Sequence, residues 1–74
     1  MKFAVMSGHL YRYLPEGRIE FLSLQGQWRD VGTARNPQWF RDSDWMSFSE
    51  LLEDLPSLFV GRSGYQMTIV DTLI

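Results

Sequence analysis

His9 is the only side chain in this 74-residue sequence whose ordinary pKa lies near neutrality, so a general base of the commonest kind would have to be this residue. It follows Gly8 and has no acid or nucleophile near it in sequence, which reads as an edge or surface position. The chain has no cysteine, and that removes thiolate nucleophiles, disulfides and Cys-ligated zinc, while one histidine cannot supply an imidazole cluster. Asp42, Asp44, Glu50, Glu53 and Asp54 could offer oxygen ligands to Mg²⁺ or Ca²⁺. However, Asp42-Ser43-Asp44 lacks the glycine and the distal glutamate of a calcium loop, and these acids read as a solvated face. The expectation is therefore no metal, no cofactor and no catalytic set: the chain does not read as an enzyme.

Binding chemistry is the alternative. Gly61-Arg62-Ser63-Gly64 resembles the GxxG loop that clamps nucleic-acid backbone in KH domains. The match covers four residues; in KH domains that loop joins two helices, whereas Tyr65 onward alternates like a strand. A phosphate-binding G-x-x-x-x-G-K-[ST] pattern does not occur, since the only lysine is Lys2. Arg12 between Tyr11 and Tyr13, and Arg29 after Trp28, interleave cations with aromatics as single-strand nucleic-acid platforms do. Against that stands a net charge of −2, because an autonomous nucleic-acid binder needs excess positive charge to displace counterions.

The elements that would position these residues can be read from period and punctuation. Lys2 to Leu14 reads as one long strand, broken or bulged at Gly8, and Pro15-Glu16-Gly17 as a tight turn. Arg18 to Leu24 reads as a second strand whose apolar residues occupy both phases, implying a bulge near Ser23 or burial on both faces. Gln25-Gly26 turns the chain into a third, weaker strand over Gln27 to Ala34, and Asn36-Pro37 ends it. Ser47-Phe48-Ser49-Glu50 matches a capping box, with Met46 and Leu51 as the staple and Phe48, Leu51, Leu52 and Leu55 at i, i+3, i+4, i+7. Pro56 is expected to end that helix or pass it into a short turn through Phe59. Tyr65, Met67, Ile69 and Leu73 then read as a returning strand.

The predicted fold is α+β, in the order β-β-β-α-β: a small antiparallel meander with one amphipathic helix on one face. Residues 1–74 form one domain, with the last strand beside the first. No apolar run is long enough to cross a bilayer and no secretory signal pattern opens the sequence, which points to a cytoplasmic protein.

Charge divides unevenly over this plan. Residues 1–36 carry five basic against three acidic side chains, and residues 37–74 carry two against six. Six of the seven cations are arginine, the cation favoured in protein interfaces. Eleven aromatics are more than one sheet and one helix readily enclose, so some should lie at the surface, in a homodimer contact or a partner site. Trp39, Asp42 and Asp44 in the loop, with Glu50, Glu53 and Asp54 on the helix, form the predicted partner-binding face. In length, lack of cysteine and lack of catalytic groups the chain resembles the small phage-encoded anti-defence proteins, of which anti-CRISPRs are the best known. That resemblance implies a stoichiometric inhibitor of a larger bacterial nuclease complex, occluding its nucleic-acid site or its assembly. The competing reading is a single-strand nucleic-acid binder working through Tyr11, Arg12, Tyr13, Trp28 and Arg29.

Overall fold

The computed structural model describes residues 1–33 and 44–74. Four strands, β1 (Lys2–Met6), β2 (His9–Tyr13), β3 (Arg18–Leu22) and β4 (Trp28–Thr33), form an antiparallel sheet in the order β1-β2-β3-β4. Two helices follow among the described residues, α1 (Phe48–Leu58) and α2 (Ser63–Leu73), so the architecture is α+β with four strands, as the sequence pattern implied, but with all four ahead of the helices and with a second helix in place of the returning strand.

The fourth strand of the meander comes from the segment expected to be one continuous strand. Ser7 (φ 53) and Gly8 (φ 75) both occupy the left-handed region, and a two-residue turn of that kind folds β1 onto β2 with Met6 facing His9. Serine seldom accepts a positive φ, which is why Ser7-Gly8 looks like a kink rather than a reversal. The turns expected at Pro15-Glu16-Gly17 and Gln25-Gly26 are present and share one geometry, although β3 ends at Leu22 and Leu24 belongs to the second turn and not to the strand. In each, the glycine amide bonds back to the residue before the loop (Gly17 to Leu14, 2.9 Å; Gly26 to Ser23, 3.0 Å). The register slips between Ile19 and Glu20, which pair with Gly32 and Asp30, so the extra residue lies in β4 rather than near Ser23. Ile19 and Leu22 are both buried, which satisfies the two-faced pattern of β3.

The capping box at Ser47 is present in both directions. The Glu50 amide donates to the Ser47 hydroxyl and the Ser47 amide to the Glu50 carboxylate, each at 3.2 Å. Pro56 lies inside α1 instead of ending it. Its ring removes one bond to the preceding turn, yet Leu55 and Phe59 on either side are buried in the core, and that packing carries the helix on.

The largest correction is Tyr65 to Leu73, which forms α2 and not a returning strand. The place beside β1 is met instead by Met46, whose amide and carbonyl bond Phe3 at 2.7 and 2.8 Å. β-branched residues are tolerated in α2 because Thr68 and Thr72 donate their hydroxyls to the carbonyls of Gly64 (3.1 Å) and Thr68 (2.7 Å), one turn back. Tyr65 and Ile69 of α2, with Leu51, Leu55 and Phe59, close the core over Phe3, Leu10 and Leu22, so both helices cover the same face of the sheet.

Candidate functional site

The two faces of the sheet offer different chemistry. Strand alternation and register put Phe3, Leu10, Arg12, Glu20, Leu22 and Trp28 on the helix-covered face, and Tyr11, Tyr13, Phe21 and Arg29 on the other. Arg12 is therefore separated from its tyrosine neighbours. Its Nε donates to Glu20 at 2.8 Å, and its guanidinium stacks 4.0 Å from the Trp28 ring centre. Arg18 pairs with Asp30, and Arg29 donates to Gln27 at 3.2 Å. The five residues of the nucleic-acid reading thus form no single platform, and Arg12 is already neutralised.

His9 packs edge-on against Phe21 and Tyr65, at 6.0 and 5.8 Å between ring centres, and its Nδ1 lies 3.3 Å from the Ser7 carbonyl. It occupies a structural cluster under the first turn. Among the described residues no group of three or more His, Asp or Glu side chains could hold a metal ion.

Tyr65 is buried, and its hydroxyl is held from both sides by backbone. The register that pairs Tyr11 with Phe21 sets Leu10 opposite Leu22, but the Tyr65 hydroxyl is inserted there. It accepts from the Leu10 amide at 2.9 Å and donates to the Leu22 carbonyl at 2.6 Å. Burial pushes its pKa up, against the smaller lowering effects of the Leu10 amide and the Arg62 charge. Arg62 lies 5.0 Å from the same ring and against the turn, where any side chain at Gly8 would meet it.

Gly61 and Arg62 lie between two helices, with Ser63 and Gly64 opening α2, where the sequence pattern implied a strand after this segment. Its arginine, however, turns back onto Tyr65 and the Ser7-Gly8 turn, a packing role and not an outward clamp.

Of the predicted partner-binding residues, Trp39 and Asp42 lie outside the described residues. Asp44 is exposed just before Trp45, whose ring packs edge-on against Tyr13 at 5.2 Å. Glu50 is exposed but committed to the helix cap. Glu53 and Asp54 are exposed on α1, and Asp71, which the sequence reading left out, is exposed on α2. Residues 44–74 carry these five carboxylates against the single cation Arg62.

Grooves open on the surface formed by the described residues. One of about 500 Å³ is lined by Met1, Lys2, Tyr13, Leu14, Pro15 and Trp45. Another, of about 290 Å³, runs along the α1-facing flank of α2 and is lined by Leu55, Ser63, Gln66, Met67, Val70 and Asp71. Reading Tyr65 to Leu73 in period two hid this second groove; the helical spacing of Met67, Val70 and Ile74 is its sequence signal. No helix among the described residues is long and apolar enough to cross a membrane. Comparison with protein families, with curated proteins and with solved structures returns no match.

Proposed function

We propose that this chain is a non-catalytic protein-binding module, an inhibitor or adaptor working in the cytoplasm, that meets a larger protein through the outer surface of its helical layer. The observation that carries this reading is the one-signed charge of residues 44–74: Asp44, Glu50, Glu53, Asp54 and Asp71 are all exposed, while Arg62, the one cation of that stretch, is turned onto Tyr65. Carboxylates spread over one exposed face imitate a run of phosphates. A partner built to hold nucleic acid offers the Lys and Arg that meet them, which steers association and makes it fall with salt. That chemistry fits an anti-defence inhibitor occluding the nucleic-acid site of a bacterial nuclease complex, the role that phage anti-CRISPRs fill.

The test is affinity capture from a bacterial lysate with mass spectrometry, comparing wild type with the double reversal Glu53→Lys/Asp54→Lys. Both positions face solvent, so the fold should survive. Binding of the captured partner should weaken tenfold or more, at least about 1.4 kcal/mol. A partner that holds the reversal variant as tightly as wild type, and loses affinity instead when Arg18 or Arg29 is changed, would place the interface on the sheet and defeat this reading.

A further inference from the structure

Helix α2 is apolar on two sides. Tyr65 and Ile69 are buried against the sheet, while Met67, Val70 and Ile74 are 64%, 38% and 78% exposed. The exposed three recur at i, i+3 and i+7, so they form a second stripe along the helix. An apolar stripe on the side of a helix turned away from its core is one that a partner element normally covers, and the outer stripe of α2 has no cover among the described residues. The groove beside it is lined by Leu55 of α1 and by Met67, Val70 and Asp71 of α2, so apolar side chains and a carboxylate share its lining. At about 290 Å³ it is at the lower limit for a small-molecule pocket, and it suits a row of inserted side chains better.

We propose that this α1–α2 groove is the docking site for a cationic amphipathic helix of a partner protein, laid against α2 as the third member of the helical layer. The proposal rests on the protein-binding reading above and names what that surface takes. Charge chooses the occupant. A second copy of this chain would set the same acidic surface, five carboxylates to one cation over residues 44–74, against this one, and like charges at an interface disfavour the pairing. An incoming helix with Leu or Ile at i, i+3, i+4, i+7 and Lys or Arg on its flanks fills the stripe and neutralises the carboxylates at once, the helix-in-groove mode of recognition. Exposed methionine suits such a site, because its unbranched thioether adapts to whichever knob enters.

The experiment uses the full chain and two synthetic helical peptides of identical Lys/Leu composition, one with the leucines on a single face and one scrambled. Affinity is read by fluorescence anisotropy at physiological salt, and the contact surface by backbone amide shift mapping. The patterned peptide should bind at least tenfold tighter than the scrambled one and shift amides of Leu55, Met67 and Val70. Met67→Ser/Val70→Ser should remove that preference, while Glu53→Lys/Asp54→Lys should weaken both peptides and flatten the salt dependence. Equal binding of the two peptides, or a response to charge reversal alone, overturns the groove and leaves the acidic-face reading standing. Silence of both variants removes both. Shifts confined to Tyr11 and Tyr13 would move the site to the sheet. A wild-type dimer in light scattering that Met67→Ser/Val70→Ser dissociates would make a second copy the occupant and overturn the proposal.

Discussion

The two helices are equal in length, 11 residues each, and are specified in opposite ways. α1 carries its instructions locally: a reciprocal capping box, an acidic residue in its first turn and one apolar stripe. α2 has no side-chain cap at Arg62 and no acid in its first turn, and it is apolar on both sides. What makes it a helix is remote. Tyr65 bonds backbone 55 residues back at Leu10 and 43 back at Leu22, and Gln66 donates to the Phe59 carbonyl at 2.8 Å, closing the end of α1. A cap can be found in a four-residue window; a docking contact of that span cannot.

Breaking the docking contact should have the largest effect. Tyr65→Phe leaves a buried amide and a buried carbonyl without their partner, a loss on the order of 2–4 kcal/mol in urea unfolding. The same variant changes the alkaline limb. Because the folded pKa of Tyr65 is raised, its contribution to stability is full below the unfolded value of about 10 and is lost as pH rises toward and through the folded value. Wild type should lose stability above that pH, and Tyr65→Phe should lose less. A variant as stable as wild type would show that α2 is held by area alone.

Next comes the turn beneath Arg62. Gly8→Ala places a Cβ at a φ of 75 and displaces the arginine, at a cost of about 1–3 kcal/mol. On the local side, Ser47→Ala removes half the box of α1 and should cost roughly 0.5–2 kcal/mol, measured by the same denaturant midpoint. If Ser47→Ala cost more than Tyr65→Phe, the ranking of local over remote specification would invert. The smallest effect sharpens the contrast: Ser63→Glu gives the first turn of α2 the acid it lacks and should stabilise by about 0.3–1 kcal/mol, a gain that salt reduces.

Legibility followed the same division. The turns at Pro15-Glu16-Gly17 and Gln25-Gly26, strands β3 and β4 and the start of α1 were readable because each is set by residues within a few positions. The Ser7-Gly8 reversal was not, because a serine at positive φ carries no composition signal. α2 was misread because its β-branched residues and its Tyr65, Met67, Ile69 alternation fit a strand, and its short polar strip, Thr68, Asp71 and Thr72, lies between two apolar stripes that blur period 3.6. Glu53 and Asp54 were placed correctly on the solvent side of α1; Glu50 belonged to the cap that identified the helix, and Asp71 was lost with α2.

One consequence follows from the hydroxyl set between β2 and β3. Amides bonded carbonyl to carbonyl across a strand pair exchange their hydrogens only when the pair opens, whereas the Leu10 amide is shielded by a side chain borne on α2. Any excursion that lifts α2 while leaving the meander paired would bare Leu10 and spare its neighbours. Its exchange rate in heavy water therefore measures the free energy of helix departure by itself, separately from global unfolding. The closer that free energy falls to zero, the more readily the outer helix could be rearranged by whatever settles beside it.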